Sequence, residues 1–206
     1  MVITLKNQKG GVGKTTLSVH LAHGLTIRKR RVLLVDADSQ GSASDWAAAR
    51  ENEPLFPVIG MDRPTLHKEL SALAGDYQDV IIDGPPRIYD IARSAMLAAD
   101  LVLLPVTPSP YDVWAAEESI SLIKEAQIFK DELKAAFVIN RKIANTAIGR
   151  DVNDALAQYE VPILNSMVCQ RVVFAEAAAA GMTAMELGLS SPASREIFRL
   201  VDEILA

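Results

Sequence analysis

The sequence predicts an α/β fold in which a mostly parallel, twisted sheet carries helices on both faces. Strand-like runs alternate with helix-like runs along the whole chain. The strand-like runs are continuous in Val, Ile and Leu, as expected for parallel strands that are buried on both faces. A glycine-rich turn joins the first of these runs to the first helix-like stretch. These observations together favour βα units arranged around one sheet.

The individual elements follow from their local patterns. The first strand is predicted at 2–7 and the first helix at 14–28, where Leu17, Leu21 and Leu25 recur at helical spacing. Short apolar runs predict further strands at 31–36, 57–59, 79–83, 101–106, 135–139 and 163–164. Longer amphipathic or alanine-rich stretches predict helices at 42–50, 64–74, 88–98, 115–129, 148–159, 174–180 and 194–205.

Composition is typical of one packed domain spanning 1–206. Half of the 206 residues are hydrophobic, and 21 basic and 26 acidic residues give a net charge of −5. This charge argues against a polycationic protein that binds nucleic acid over its whole surface, but not against a local basic patch. The sequence contains no apolar run of eighteen residues and no signal-peptide pattern, so we expect neither a membrane span nor secretion. The single cysteine, Cys169, allows no intramolecular disulfide. We therefore expect a cytoplasmic protein.

The segment 9–16, with the sequence KGGVGKTT, has the context of a phosphate-binding loop because a strand precedes it and a helix follows. Glycines let backbone N–H groups converge on phosphate oxygens, and the helix N-terminus adds positive partial charge. Lys14 is predicted to reach the β- and γ-phosphates, and the Thr15 hydroxyl to bind Mg²⁺. The candidate nucleotide-binding residues of this loop are Gly10, Gly11, Val12, Gly13, Lys14, Thr15 and Thr16.

Three aspartates lie at the ends of two buried strands, at the edge of a parallel sheet where ligands bind. Asp83 ends an apolar run and is predicted to hold Mg²⁺ directly or through water. Asp36 and Asp38 flank one residue and can face the same way, so one can order the waters of Mg²⁺ and the other the attacking water. The alternative for Asp83 is a strand-terminal aspartate that bonds the following turn, and the alternative for Asp36 and Asp38 is an acidic loop that caps the helix at 42–50. Gly84 permits close approach to the γ-phosphate, so residues 84–93 are expected to respond to it.

The loop departs from the general phosphate-loop pattern in one informative way. Gln8 stands where the first glycine is expected, and an additional lysine, Lys9, precedes the glycine pair. Lys-Gly-Gly-x-Gly-Lys-Thr-Thr resembles the deviant Walker A motif of the ParA/MinD group of ATPases. The resemblance extends over nearly the whole chain, including the segments 32–36, 80–83, 103–110 and 171–177. The compact length is similar to the short plasmid-partition subgroup to which ParF belongs.

This resemblance implies a P-loop NTPase fold and a Mg²⁺-dependent ATPase that uses ATP. It implies a homodimer in which ATP is sandwiched and Lys9 contacts the partner's nucleotide, with Lys9, Lys14 and Asp38 as the catalytic residues. Asp38 matches the family's water-activating residue, although Ser39 replaces the usual proline. Asp36, Asp83 and Thr15 are the implied metal-site residues.

The resemblance further implies that the dimer binds DNA without sequence preference, placing it on the nucleoid when ATP is bound. A centromere-binding protein or cargo adaptor is the implied stimulator of hydrolysis. Asn140 is a candidate for contacting adenine, with loop capping as the alternative. The candidate DNA-binding residues are Arg141, Lys142 and Arg171, and further basic residues occur at 28–31, 150, 195 and 199.

The implied function is plasmid or chromosome partition, with three alternatives. An ATPase of the same family that positions another cargo, such as a microcompartment, would use the same nucleotide switch. A MinD-like membrane-cycling ATPase should end in a basic amphipathic helix, whereas the charges at 195–206 are mixed, so no membrane partner is expected. A metabolic P-loop enzyme would need a second substrate pocket.

Overall fold

The computed structural model describes residues 1–86, 88–143 and 148–206, without the side chains of 148–151. Its strands are β1 Val2–Leu5, β2 Val32–Asp36, β3 Val58–Gly60, β4 Asp79–Asp83, β5 Leu101–Val106, β6 Lys134–Lys142 and β7 Ile163–Cys169. Its helices are α1 Lys14–Ile27, α2 Ser42–Ala48, α3 Leu66–Leu73, α4 Tyr89–Ala98, α5 Pro110–Gln127, α6 Ile148–Ala157, α7 Val172–Ala179, α8 Ala184–Leu187 and α9 Pro192–Leu205.

Within the described part of the chain, seven strands form one sheet in the order β3-β2-β4-β1-β5-β6-β7. Every neighbouring pair is parallel, which confirms the predicted fold class. The chain moves from β1 outward to β2 on one side and later to β5 on the other. The carboxyl end of β1 therefore lies at the point where the strand order reverses, the place where ligands bind in sheets of this type.

Helices cover both faces of the sheet, and consecutive strand residues alternate between the two covering layers. Leu34 packs with the layer that contains α1 and α9, whereas its neighbours Leu33 and Val35 pack with α3 and α4. Leu103 and Leu104 of β5 divide in the same way between the α1 layer and the α5 layer. Burial on both sides explains why these strands read as continuous apolar runs.

The strands β6 and β7 are longer than the sequence pattern predicts. β7 runs to Cys169 rather than ending at residue 164. It is an edge strand, and the Glu203 carboxylate of α9 accepts the N–H groups of Asn165 and Ser166, both at 2.7 Å. A helix side chain thus satisfies edge N–H groups that no strand pairs. A polar edge segment of this kind carries no apolar signal in the sequence.

Helix starts differ from the predictions where capping decides the boundary. α5 begins at Pro110, five residues before the predicted start, because Ser109 is extended and proline is favourable in the first turn. The short α8 was not predicted. It is set by a capping box in which Thr183 and Glu186 satisfy each other's backbone N–H groups.

Among the described residues, no helix combines the length and apolar character that crossing a membrane requires.

Candidate nucleotide-binding site

The phosphate loop lies between β1 and α1, as predicted. Gly11 and Gly13 have positive φ angles of 78° and 89°, and Gly13 is the N-cap of α1. A Cβ at Gly13 would overlap the Asn140 amide nitrogen, so both the dihedral angle and the space require glycine. The loop borders a cavity of ≈ 940 Å³ whose loop residues are Gly10, Gly11, Gly13, Lys14, Thr15 and Thr16.

Asn7, which precedes the loop, fixes its start. The Asn7 amide nitrogen donates to the Pro105 carbonyl at 2.8 Å, and its Oδ1 accepts the Lys9 N–H at 2.9 Å. Leu5 is the last residue of β1 that pairs with β5, and it pairs with Leu103. Pro105 therefore lies beyond the paired part of β1. A proline is therefore tolerated inside this strand, and its carbonyl is available to Asn7.

Residues at the end of β6 brace the other side of the loop. The buried Asn140 amide donates to the Val12 carbonyl at 2.7 Å, and Arg141 donates to the Gly11 carbonyl at 2.6 Å. These contacts correspond to the loop-capping alternative for Asn140. Contact of Asn140 with adenine and of Arg141 with DNA remain predictions.

Lys14 is the first residue of α1 and is only 8% exposed. Burial lowers the pKa of its ammonium, while the carboxylates of Asp83 and Asp38 oppose that shift. Lys14 and Asp38 line the same cavity, and Asp83 lies at the end of β4. This arrangement places a cation beside the helix N-terminus, where phosphate oxygens are favoured.

Asp83 is completely buried at the end of β4, next to the first turn of α1. Its Oδ2 accepts the Thr15 hydroxyl at 2.6 Å, and Ser18 Oγ lies 3.1 Å from Oδ1. Burial raises the pKa of Asp83 to about 6, and Asp36 adds to the shift, whereas Thr15, Ser18 and Lys14 oppose it. The predicted pair of oxygen ligands, Thr15 and Asp83, is thus brought together.

Asp36 faces Asp83 across neighbouring strands, since the two residues are paired in the β2–β4 register. Its Oδ2 accepts both the N–H and the hydroxyl of Ser44 at 2.8 Å, and its Oδ1 accepts the Asp38 N–H at 3.2 Å. Asp36 therefore orients the loop that carries Asp38. The half-buried Asp38 borders the cavity, and its Oδ1 accepts the Gln40 N–H at 3.1 Å.

Lys9 lies at the mouth of the site with 45% of its side chain exposed. Its ammonium donates to Oδ1 of Asp112 in α5. Asp112 is buried, and its Oδ2 accepts both the hydroxyl and the N–H of Thr107. In the single subunit, the predicted cross-subunit lysine is therefore bound by its own chain.

Four of the other candidate DNA-binding residues contact protein groups. Lys142 Nζ lies 3.2 Å from the Met167 sulfur, and Arg171 forms an ion pair of 2.5 Å with Glu196. Arg28 pairs with Asp202 and Arg30 with Asp79. Arg195 and Arg199 are exposed on α9, and the Arg150 side chain lies outside the described residues.

Sequence reasoning missed three residues of the site. Asp112 carried a weak signal, because it stands in the first turn of a helix after a Thr-Pro segment. Lys6 carried a stronger one, since it is a charged residue directly after an apolar strand. Ser44 gave no signal that distinguishes it from a surface serine.

The residues fit a nucleoside triphosphate with Mg²⁺. The loop offers free backbone space at Gly10 and Gly11, a cation at Lys14, and hydroxyl and carboxylate oxygens at Thr15 and Asp83. No cluster of three or more His, Cys, Asp or Glu side chains that could hold a metal occurs among the described residues. The Thr15 hydroxyl and the Asp83 carboxylate match Mg²⁺, which binds through one or two protein oxygens together with phosphate oxygens. Fold and site together define a P-loop nucleotide-binding protein.

The chain belongs to the CobQ/CobB/MinD/ParA nucleotide-binding domain family, whose model matches residues 3–184. It is 33% identical over 207 residues to the maintenance of carboxysome distribution protein A of Halothiobacillus neapolitanus, covering 98% of this chain and 95% of that protein. It is 28% identical over 236 residues to the chromosome-partitioning ATPase Soj of Thermus thermophilus, covering 99% and 95%.

The fold is also that of a solved family structure. The septum site-determining protein MinD of Pyrococcus horikoshii, in complex with Mg-ADP, matches with a TM-score of 0.81 at 22% identity, covering 98% of this chain and 95% of that one. The family match and the curated relatives make the chain a ParA/MinD-type ATPase, and the groups of its site fit ATP with Mg²⁺. The family assignment made from the deviant Walker A motif is confirmed.

Proposed function

We propose that this single domain, residues 1–206, is an ATP-switched positioning ATPase. ATP binding joins two subunits face to face, the dimer binds DNA without sequence preference, and an adaptor protein links it to a cargo and stimulates hydrolysis. The observation that carries the proposal is Lys9. Its partly exposed side chain lines a second cavity of ≈ 410 Å³ that shares Gly10 and Gly11 with the nucleotide cavity, so a second subunit could receive it there.

The site residues have separate roles in this proposal. Bound ATP supplies the phosphoanhydride bond to be cleaved, and bound Mg²⁺ neutralises phosphate charge. Lys14 donates to phosphate oxygens, while Thr15 and Asp83 hold the ion. Asp38 orients the attacking water, and Asp36 fixes Asp38 through its backbone N–H.

The dimer follows from binding linkage. A nucleotide that is contacted by Lys14 of one subunit and Lys9 of the other binds the dimer more tightly than the monomer, so it stabilises the dimer by that difference. Loss of the terminal phosphate removes part of the contact made by both subunits. The dimer then dissociates.

DNA binding requires cations that are not consumed by ion pairs. Arg195 and Arg199 are exposed and lie one helical turn apart on α9, which supports a role for this face. Arg171 is adjacent, but Glu196 shares its charge. We propose that the α9 face, joined by Arg171, contacts DNA phosphates in the dimer.

Two cargo classes fit the same switch. Similarity to the carboxysome-distribution protein over nearly the full chain favours a protein microcompartment. Similarity to Soj supports chromosome or plasmid partition as the second candidate. The catalytic residues would be the same for both cargo classes, so the adaptor protein determines which cargo is positioned.

A membrane-cycling role is less well supported. The apolar residues of α9, Ile197, Leu200 and Val201, are at most 1% exposed and pack in the core with α1. A helix that lies on lipid needs its apolar face free. Here that face is already used by the fold.

The test measures association and DNA binding together. The mass of the purified protein would be measured by light scattering without nucleotide, with ADP, and with ATP and Mg²⁺, using Asp38→Ala to slow hydrolysis. We expect a dimer only with ATP, and binding to unrelated duplexes that weakens as salt rises. Lys9→Ala should remain monomeric yet bind ADP, and Arg195→Gln with Arg199→Gln should dimerise but bind DNA less.

Contrary results are equally informative. Absence of ATP-dependent association would contradict the sandwich dimer and leave a metabolic P-loop enzyme as the better interpretation. A dimer that ignores DNA but binds anionic vesicles would favour membrane cycling. Deleting the gene in its host and scoring microcompartment positions against plasmid retention would separate the two cargo classes.

A further inference from the structure

Lys6 is a buried charged residue that the proposed roles leave unassigned. It follows β1 directly, is 2% exposed and is one of the largest fully buried side chains in the described part of the chain. A lysine is almost never buried unless its ammonium is matched by hydrogen-bond acceptors. Its partners should therefore reveal its role.

The Lys6 ammonium donates to the carbonyl oxygens of Pro85 and Pro86, at 2.9 and 3.0 Å. These two prolines directly follow Gly84 at the exit of β4. Proline has no N–H group, so the backbone of these two residues can form hydrogen bonds only through its carbonyls. Lys6 supplies the donor that they need.

Gly84 attaches the same segment to β1 by a second contact. Its N–H donates to the Leu5 carbonyl at 3.2 Å, and a Cβ at this position would lie 2.5 Å from that oxygen. The chain leaving Asp83 is thus held against β1 at two successive points. β1 leads directly into the phosphate loop, so the two segments share one support.

The Lys6 ammonium also interacts electrostatically with charged groups of the site. Burial lowers its pKa to about 8, and the neighbouring Lys14 ammonium contributes to the lowering, whereas Glu118 of α5 and Asp38 raise it. A phosphate group beside Lys14 would offset the repulsion between the two ammonium groups. Pro86, whose carbonyl accepts from Lys6, also lines the cavity that contains Lys14, so a negative charge there favours the charged ammonium that donates to the proline carbonyls.

We propose that Lys6 is a positioning residue that couples occupancy of the terminal-phosphate subsite beside Lys14 to the segment 84–86 and the start of α4. This inference rests on the proposed role of Lys14, but not on dimerisation, DNA binding or cargo. With the terminal phosphate bound, Lys6 holds the segment closely. With ADP, the segment is held less tightly.

The test compares Lys6→Met with Lys130→Met. Lys130 is a matched control, because its ammonium also donates to a backbone carbonyl, that of Ala99 at 2.7 Å, before β5 begins and away from the site. Affinities for ADP and for a non-hydrolysable ATP analogue would be measured by titration with Mg²⁺. Hydrogen exchange of the amides at 88–91 would be measured in both complexes.

For Lys6→Met we expect affinity for the ATP analogue to fall on the order of tenfold, the scale of one hydrogen bond from a charged group. Affinity for ADP should stay within about threefold, and the exchange difference at 88–91 between the two complexes should disappear. Lys130→Met should retain both the wild-type ratio of ATP-analogue affinity to ADP affinity and the exchange difference at 88–91. A merely structural Lys6 would change stability without changing this ratio.

Three results would overturn the inference: equal loss of ADP and ATP-analogue affinity in Lys6→Met, a persisting exchange difference in that variant, or the same loss of discrimination in Lys130→Met. If Lys6→Met does not fold, the exchange measurement on the wild-type protein still tests the coupling. An exchange rate at 88–91 that is the same in the two complexes contradicts the coupling, and a difference between them supports it. A failed dimer assay would leave this result standing, so the two proposals fail separately.

Discussion

Lys9 and Asp112 form an ion pair within one subunit, which joins the start of the phosphate loop to the first turn of α5. Asp112 is buried and is also bound by Thr107, so it is a fixed acceptor. In the proposed dimer Lys9 serves the other subunit. The contact within the subunit therefore competes with the contact between subunits.

Replacing Asp112 should accordingly shift the association equilibrium. With Asp112→Asn, Lys9 loses a charged partner within its own subunit. A charge-assisted hydrogen bond contributes about 1.5–3 kcal/mol and its neutral replacement contributes less. We therefore expect ATP-dependent dimerisation at about three- to tenfold lower protein concentration. Sedimentation at graded concentrations would measure this. Glu118→Gln, on the same helix, is the control, and weaker association of Asp112→Asn would contradict the competition.

Gly13 should be far less tolerant of a side chain than Gly10. Alanine at Gly13 would be strained at φ 89° and would overlap the Asn140 amide, whereas Gly10 has open space around it. We expect Gly13→Ala to lose more than about tenfold in ADP affinity and Gly10→Ala to stay within about threefold, by the strain argument. Titration with a fluorescent ADP would show the difference, and equal losses would mean that the conformation of the loop at Gly13 does not decide binding.

His20 should make stability depend on pH. Its Nδ1 donates to the Thr16 carbonyl at 2.6 Å, and its Nε2 accepts the Ala184 N–H at 3.0 Å, an arrangement that only the neutral ring permits. Burial lowers the pKa of His20 from 6.5 to about 4. Between these values the unfolded chain binds more protons, so stability should fall by about 3 kcal/mol as pH drops from 6.5 to 4.

Asp83 acts in the opposite direction over part of this window, because its pKa is raised in the folded state. The contribution of His20 is therefore isolated by comparing variants. Urea unfolding of His20→Gln should show a shallower pH dependence than the wild type. A wild-type slope in His20→Gln would contradict the assignment.

Glu203 should stabilise the edge of the sheet. Its carboxylate accepts the N–H groups of Asn165 and Ser166, and glutamine can replace only one acceptor oxygen. We expect Glu203→Gln to reduce the free energy of unfolding by about 1–2 kcal/mol, which corresponds to a fall in Tm of roughly 2–8 °C for a chain of this size.

Asp202→Asn provides the comparison for Glu203. Asp202 pairs with Arg28, but its side chain is 58% exposed, and exposed ion pairs contribute little. We expect a change in Tm of no more than about 2 °C from its loss, as measured by the same thermal scans. A larger effect for Asp202→Asn than for Glu203→Gln would contradict the role assigned to the edge contacts.

The fold class and the phosphate loop were predictable from the amino-acid sequence, because both depend on local patterns. Continuous apolar strands require two covering layers, and the glycines, Lys14 and Thr15 form a phosphate site from consecutive residues. The pairing of Asp83 with Thr15 was also foreseeable, since strand ends meet at one edge of a parallel sheet. The element boundaries that depend on caps or on edge contacts, such as the start of α5 at Pro110 and the end of β7, were not predictable in this way.

The contacts between groups that are distant in the sequence became visible only in the folded chain. Asp112 lies 103 positions after Lys9, Pro85 lies 79 after Lys6, and Asn140 lies 128 after Val12. No local pattern specifies such contacts, because they depend on strand order and on the angle at which each helix packs. The sequence determined the chemical groups of the site, and the packing of the sheet determined which of them hold one another in place.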